Sequence, residues 1–304
     1  MLSCDYIGND NLVISDISTL EHAKNNELSF YNNSKYLSHY KKSNAGVVLV
    51  RNDLKKGRDS NLIICEDPYF MMAKVAEIFY PDSVNDDFDS TVEDINKTQY
   101  KKKVKFGRNV LIGKNVNIGS NCLIGHNSII EKNVSIGDNC SIGSNVIIRN
   151  SLIKNNVYIL DGCVIGKKGF GFFPDKNSNL RYPQVGVVII EDNAEIGCGS
   201  TIDRGSLSNT IIGKNTYLDN QIHIAHNVKI GDNCVIAGQV GFAGSSTLGN
   251  NVMIGGQAGI SGHLKIGNNV QIGGGSGVIK NIPDNTRVMG YPAKDLKNFI
   301  RENK

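Results

Sequence analysis

Six histidines provide this sequence with the side chains best suited to moving a proton near neutral pH. Three of them occur together in the second half of the chain: His223, His226 and His263. The other three are interpreted as surface or structural side chains: His22, His39 and His126. No serine or cysteine is spaced to act as a nucleophile beside His226, and Cys234, eight residues later, is expected to be buried. This setting favours general base catalysis without a covalent intermediate.

The residues spaced around His226 indicate which reaction such a base could serve. Gly244 follows it by 18 residues, His263 follows it by 37, and Asp219 precedes it by seven. In a fold that turns once every 18 residues, Gly244 lies one turn from His226, about 5 Å away. His263 then falls at the same corner, and Asp219, about one face away, is predicted to orient or charge-stabilise the imidazole. A histidine beside a glycine N–H suits acyl transfer, because the N–H can stabilise an oxyanion.

An 18-residue turn is what the sequence after Val104 predicts. An aliphatic or aromatic residue recurs every six positions, as in VKFGRN, VLIGKN, VNIGSN and CLIGHN. The register is interrupted before Ile190, slips at 206–209, and then runs without error to Val278. Six residues suit one short strand and a tight turn, and three such units make a triangular coil that is stable only when stacked on others. We therefore predict a parallel β-helix over 104–282, with glycine and asparagine supplying left-handed backbone conformations at its corners.

Glycine use predicts where the other regions begin and end. Only three of the 33 glycines precede residue 104, and 30 follow it. Residues 1–100 are predicted to form a small α/β domain, with helices over 19–26 and 67–79. Residues 169–186 break the repeat and are predicted to be a loop insertion, and 283–304 a short C-terminal helical tail.

Composition excludes several classes of protein and favours a cytoplasmic one. The net charge of +4 is small and dispersed, which argues against binding nucleic acid. Seven cysteines show no zinc-site spacing and are expected to be reduced, so no metal site is predicted. No apolar run of 18 residues and no cationic leader followed by an apolar stretch occur, so no membrane-spanning or signal segment is expected.

Several separate segments together resemble one enzyme family. They are LDNQIHIAHNVKIGDNCVIAGQVGFAGSSTLG, TIDRG before it, GGQAGISGH after it, and GFGF and PQVG in the loop insertion. The chain resembles the UDP-3-O-(3-hydroxyacyl)glucosamine N-acyltransferases, which are hexapeptide-repeat acyltransferases of lipid A biosynthesis. This resemblance implies a left-handed β-helix, a homotrimer, and transfer of an (R)-3-hydroxyacyl group from acyl carrier protein to the 2-amino group of a UDP-glucosamine acylated at O3. It implies no cofactor of the enzyme's own, because phosphopantetheine arrives on the carrier.

The resemblance also assigns roles to the residues around His226. It implies that His226 is the catalytic base, that Gly244 provides the oxyanion N–H, that Asp219 is an acidic companion, and that His263 is a second active-site histidine. The glycine-rich stretch containing Gly275 and Gly277 is predicted to leave room for the end of an acyl chain.

In the first domain, LSFYNNSKY resembles the family's uridine-binding segment. Phe30 and Tyr36 are then expected to sandwich the uracil, and Asn33 to bond its edge, since flat bases stack on aromatic faces. Few residues precede the point that matches Ile7, and the tail is short for the family. Its basic residues are expected to suit an acidic carrier protein: Lys294, Lys297, Arg301 and Lys304.

Three other functions compete with this interpretation. A related enzyme could acylate the 3-hydroxyl of a UDP-sugar, although the separate uridine-binding segment argues against that. A β-helix carbonic anhydrase would need His223, His226 and His263 to converge on zinc, and residues 223 and 226 are badly spaced for it. A non-catalytic scaffold is the third alternative.

Overall fold

The computed structural model describes residues 4–58, 61–84, 87–95, 100, 104–174 and 179–290. The chain forms two compact units. One consists of Met1–Asp87, Phe170–Gly186 and Ser206–Ser208, and the other of Phe88–Gly169, Val187–Gly205 and Asn209–Lys304. The part of the predicted tail beyond residue 290 lies outside the described residues.

The first unit is built on a five-stranded sheet. Its strands are β1 (Asp5–Ile7), β2 (Asp16–Ile17), β3 (Glu27–Tyr31), β4 (Val47–Val50) and β5 (Leu62–Ile64). They lie in the order β1-β5-β4-β3-β2, with β1 antiparallel to β5 and the other pairs parallel. The helices are α1 (Leu37–Lys42), α2 (Pro68–Phe79) and the 3-10 turns Ser34–Tyr36, Asn52–Leu54 and Pro81–Val84. An antiparallel hairpin, Phe172–Pro174 with Asn179–Arg181, also belongs to this unit.

Local chemistry explains which predicted helix forms. Helix α2 begins after Asp67, whose carboxylate accepts hydrogen bonds from the N–H groups of Tyr69 and Phe70 at 3.0 Å. Its prediction is confirmed. The helix predicted over 19–26 is wrong, because those residues form turns between the parallel strands β2 and β3. One turn closes where the Ala23 N–H donates to the Thr19 carbonyl at 2.9 Å.

The second unit is a parallel β-helix, here called the prism, whose three faces are long sheets. The first face contains Val104–Phe106, Cys122–Ile124, Ser141–Ile142, Tyr158–Ile159, Glu195–Ile196, Tyr217–Leu218, Val235–Ile236, Met253–Ile254, Gln271–Ile272 and Arg287–Val288. The second contains Glu93–Asp94, Leu111–Ile112, Ile129–Ile130, Ile147–Ile148, Val164–Lys167, Thr201–Asp203, His223–Ile224, Gly241–Phe242, Gly259–Ile260 and Gly277–Val278. The third contains Asn117–Ile118, Ser135–Ile136, Ser151–Ile153, Val188–Ile190, Thr210–Ile212, Lys229–Ile230, Thr247–Leu248 and Lys265–Ile266. The β-helix predicted from the six-residue repeat is confirmed.

The strand register shows how the interruptions of the repeat are accommodated. His223 pairs with Gly241 and Gly241 with Gly259, so one coil of the regular prism takes 18 residues. Across the loop insertion Val164 pairs with Thr201, and across the slip at 206–209 Thr201 pairs with His223. The extra residues therefore leave the coil, and the strands on either side remain in register.

Asparagine, more than glycine, provides the left-handed corners. Most of the residues with positive φ in the prism are asparagines, such as Asn233 and Asn251, and few glycines have positive φ. The glycine that follows an inward aliphatic residue serves close packing instead. A β-carbon on Gly107, for example, would lie 2.6 Å from the backbone nitrogen of His126 in the next coil. The expectation that glycine supplies these conformations therefore holds at only a few corners.

The prism also extends past its predicted ends. Arg287–Val288 pairs in parallel with Gln271–Ile272 beyond residue 282. At the other end, Glu93–Asp94 pairs antiparallel with Leu111–Ile112. Among the described residues, no helix has the length and apolar character needed to cross a membrane.

Candidate active site

His226 and Gly244 meet at the corner between the second and third faces of the prism. His226 lies between the strands His223–Ile224 and Lys229–Ile230, and its side chain is half-buried. Its ring covers the α-carbon of Gly244: a β-carbon built there would lie 2.7 Å from both Cε1 and Nε2 of the imidazole. Only glycine leaves room for the ring in this position, so the predicted neighbours are brought together.

Within the described ranges the N–H of Gly244 has no hydrogen-bond acceptor, and the geometry of the prism explains why. At the matching position of another corner, each backbone N–H donates to a side chain one coil further on. The N–H of Asp232 donates to Asn250 Oδ1, and that of Asn250 to Asn268 Oδ1, both at 2.8 Å. The residue one coil after Gly244 is Gly262, which has no side chain to accept. Among the described residues the Gly244 N–H has no hydrogen-bond acceptor, so a donor suited to an oxyanion lies beside the imidazole.

Asn227 orients the imidazole, a role that sequence reasoning missed. His226 Nδ1 lies 2.9 Å from Asn227 Oδ1, and an amide oxygen only accepts hydrogen bonds. Nδ1 therefore carries the proton in this arrangement, which leaves Nε2 as the basic nitrogen. The N–H of Asn227 donates to Thr210 Oγ1 at 2.9 Å and fixes the corner. The only hint of this role in the sequence is indirect, because Asn227 is one of many asparagines at corner positions, where the structure has positive φ.

The two other predicted catalytic residues are placed differently. The N–H of His263 donates to the Gly244 carbonyl at 3.1 Å, so His263 shares the corner, with its side chain exposed. Asp219 lies at the corner between the first and second faces, where its carboxylate accepts from the Asn220 N–H at 2.8 Å. Within one chain the structure does not bring Asp219 to His226, because one prism face separates their corners.

His223 projects from the second face, next to the same corner. Its Nδ1 lies 2.8 Å from Thr201 Oγ1, and burial lowers the pKa of the imidazole, which favours the neutral ring. The three neighbouring histidines do not form a metal cluster. Within the described ranges, no group of three histidine, cysteine or acidic side chains is arranged to hold an ion.

A strip without side chains continues from His223 along the second face. Gly241, Gly259 and Gly277 lie in register with it on the following coils, and a β-carbon on any of them would meet no described residue within 4 Å. None of the three has positive φ, so neither backbone conformation nor packing against the described residues requires glycine there. These three residues are called the glycine strip. Gly275 is not part of it: it lies at a corner where its φ of 69° explains the glycine.

The predicted uridine segment lies in the first unit. Phe30, at the end of β3, is partly buried, and its ring is 5.6 Å from that of Tyr69. Tyr36 is exposed, with the Lys35 ammonium 4.9 Å from its ring centroid. Asn33 is exposed and caps a 3-10 turn, its side-chain oxygen accepting from the Lys35 N–H at 3.0 Å. The stacking of uracil between Phe30 and Tyr36 stays a prediction.

Comparison with known proteins gives matches in both units. The sequence model of the family described as UDP-3-O-(3-hydroxymyristoyl) glucosamine N-acyltransferase, LpxD, matches residues 11–78. The model of the bacterial transferase hexapeptide, six repeats, matches 115–150 and 209–244.

Relatives match over about three quarters of the chain. The UDP-3-O-acylglucosamine N-acyltransferase of Saccharophagus degradans is 44% identical over 238 residues, 75% of this chain and 67% of the relative. That of Hydrogenovibrio crunogenus is 35% identical over 222 residues, 73% of this chain and 64% of the relative, so this alignment covers a little under two thirds of its length. Among solved structures, a Francisella novicida UDP-N-acetylglucosamine acyltransferase is similar with a TM-score of 0.56 at 23% identity, covering 65% of this chain and 73% of that one. This last similarity concerns the fold alone.

Proposed function

The chain belongs to the UDP-3-O-acylglucosamine N-acyltransferase family, and on that basis we propose that it is the N-acyltransferase of lipid A biosynthesis. It moves an (R)-3-hydroxyacyl group from acyl carrier protein to the 2-amino group of UDP-3-O-(3-hydroxyacyl)glucosamine, giving UDP-2,3-diacylglucosamine. The observation that carries this proposal is the imidazole of His226 lying over Gly244, whose N–H has no hydrogen-bond acceptor in the part of the chain that the structure describes.

The geometry supports a direct transfer without an acyl-enzyme. The neutral 2-amine attacks the thioester carbon while His226 Nε2 accepts a proton from the nitrogen. The carbonyl oxygen becomes an oxyanion, and the Gly244 N–H donates to it. The intermediate then collapses, the C–S bond breaks, and the imidazolium returns its proton to the leaving thiolate of phosphopantetheine. Because Asn227 holds the proton on Nδ1, the imidazole is in the tautomer that these reaction steps need.

The two acyl chains need an apolar, unobstructed surface near His226. The glycine strip supports this role because its open backbone begins beside His223 and continues for three coils, at about 4.8 Å per coil. We place the acyl groove there, with Gly277 near the end of the chain. In the first unit, Phe30, Asn33 and Tyr36 bind the uracil.

We further propose that the enzyme is a cytoplasmic homotrimer that uses carrier-bound acyl donors. A row of exposed apolar side chains on the first face supports a subunit interface: Tyr217, Val235 and Met253, with exposures of 49%, 49% and 51%. Any role of Asp219 toward His226 then involves a neighbouring chain, since one prism face separates the two within a chain. The molar mass in solution, measured by light scattering, tests the assembly: the mass of a single chain would contradict it.

An assay of acyl transfer tests the proposed reaction. Purified protein is incubated with (R)-3-hydroxyacyl carrier protein and UDP-3-O-(3-hydroxyacyl)glucosamine, and the products are analysed by mass spectrometry. The proposal predicts one added 3-hydroxyacyl group, linked as an amide. A parallel reaction with UDP-N-acetylglucosamine tests O-acylation. Ester formation there without amide formation, or no transfer to either acceptor, would contradict the proposal.

A further inference from the structure

An aspartate that the proposed mechanism does not use lies one coil from the His226 corner. The strand Thr201–Asp203 pairs in parallel with His223–Ile224, Thr201 against His223. Continuing this register sets Asp203 beside Ala225 and the next residue beside His226, at the coil spacing of about 4.8 Å. Asp203 therefore belongs to the same edge of the prism as the base and its oxyanion donor.

The carboxyl group of Asp203 is half-buried. Among the described residues no hydrogen bond or ion pair reaches its side chain. The charged and titratable groups that the register places near it are Arg204, the next residue in the chain, Lys167, its register partner on the preceding coil, and His223 and His226 on the following one. Neither basic side chain lies within ion-pair distance of this carboxylate.

The ionisation of Asp203 reflects this setting. Burial raises the pKa of the carboxyl to about 7, and no neighbouring cation lowers it. A half-buried carboxylate one coil from the corner of a catalytic base, with no partner among the described residues, is the kind of group that binds a cationic part of a ligand. The acceptor of the proposed reaction has one such part near the reacting carbon, its 2-amino group.

We propose that Asp203 binds the 2-amino group of the acceptor sugar in its ammonium form and removes the first of its protons. This inference rests on the proposed function. One N–H bond of the ammonium breaks and an O–H bond forms on the Asp203 carboxylate, which leaves the neutral amine with a free electron pair. The amine then attacks the thioester, and His226 accepts the second proton as the C–N bond forms. Asp203 returns its proton to solvent after the product leaves.

The same arrangement gives selectivity for an amine over a hydroxyl. A carboxylate gains a charge-assisted hydrogen bond from an ammonium group, which a neutral hydroxyl cannot match. Asp219 cannot take this role in the same chain, because it lies at another corner and its carboxylate accepts from the Asn220 N–H. Nor is His223 suited to it, since burial favours its neutral ring and Nδ1 already contacts Thr201.

The test compares Asp203→Asn with a matched control, Asp232→Asn. The Asp232 carboxylate caps the Lys214 N–H at 2.8 Å, and asparagines cap the same stack further on, so asparagine can replace it there. Calorimetry without acyl donor measures the Kd of two ligands, UDP-3-O-acylglucosamine and its counterpart with a 2-hydroxyl in place of the amine. Asp203→Asn should raise the Kd of the amine about tenfold to a hundredfold and leave that of the hydroxyl ligand unchanged. The control should change neither.

The outcomes separate this inference from the proposed function. Equal weakening of both ligands, or no weakening of the amine, would overturn the role of Asp203 even if wild-type protein performs N-acylation. A wild-type protein that forms no amide would overturn the proposed function and the inference with it. The pH dependence of kcat/KM provides a second measurement, which would not change if Asp203 had only a structural role. Its acidic limb near pH 7 should shift in Asp203→Asn and should stay in place in Asp232→Asn.

Discussion

The imidazole of His226 occupies the space that a β-carbon on Gly244 would fill, at 2.7 Å from that position. This contact places the base on one coil directly beside the oxyanion donor on the next coil, and no loop is needed to bring them together. The prism lattice sets the distance, because residues 18 apart in its regular part lie one coil apart. The site is therefore as rigid as the stack that carries it.

Gly244→Ala should displace the His226 ring while leaving the prism folded. We expect kcat to fall about 10²–10³-fold, because both the base and the approach to the oxyanion donor are disturbed. Steady-state kinetics and thermal unfolding of the same samples provide the measurement. Gly290→Ala is the control, since a β-carbon there has its nearest neighbour at 3.5 Å. Wild-type turnover in Gly244→Ala would show that the ring position is irrelevant to the reaction.

Asn227→Gly removes the amide that holds Nδ1 but tolerates the positive φ of 62° at this corner. Since the imidazole then loses its orientation, we expect kcat to fall about tenfold, a typical effect of an outer hydrogen-bond partner. Asn233→Gly, at a matching corner with φ of 56°, serves as the control. If both variants lose the same activity, the effect comes from the backbone and the orienting role of Asn227 is refuted.

Gly277→Met should shorten the preferred acyl donor. A side chain at this position of the glycine strip would meet no described residue within 4 Å and would have an ordinary backbone conformation, so the variant should fold normally and obstruct the groove. Competition between donors of different chain length, with products resolved by mass spectrometry, measures the shift. Lys265→Met, an exposed position on the third face, is the control. An unchanged donor profile in Gly277→Met would place the acyl chain elsewhere. Gly275→Met is a poorer test, because its φ of 69° would strain any side chain.

The sequence predicts the prism and the His226–Gly244 pair well, because both follow from counting six residues per strand and 18 per coil. It predicts less where side chains choose among partners. Spacing along the chain places Asp219 about one face from His226, but it does not show that Asn227 Oδ1 meets His226 Nδ1 within their own corner.

The missed role of Asp203 has a similar cause. Its pKa is raised by burial, which depends on the surroundings of the folded strand and leaves no mark on the motif TIDRG. The wrong helix prediction over 19–26 shows the same limit. This segment is short and connects two parallel strands, and these constraints outweigh the helical preference of its residues.

Asp203→Asn should stabilise the protein in a pH-dependent way. Burial raises the pKa of Asp203 in the folded protein from its ordinary value of 3.8 to about 7. Wild-type protein therefore has its full free energy of unfolding below pH 3.8, where the carboxyl is protonated in both states, and loses part of it as the pH rises through about 7. The excess Tm of Asp203→Asn over wild type should therefore grow between about pH 4 and pH 7 and then level off. Thermal unfolding across this range is the measurement. A constant difference, or one that shrinks with rising pH, would show that Asp203 is not held in its protonated form by burial.

The most direct measurement of the central claim is the rate of amide formation by His226→Ala, with acyl carrier protein as donor and UDP-3-O-acylglucosamine as acceptor. His22→Ala, at an exposed position in the first unit, controls for the loss of a histidine. If His226 is the base, kcat falls about 10²–10⁴-fold while the Kd of the acceptor changes only a few-fold. Near wild-type amide formation by His226→Ala would contradict the account.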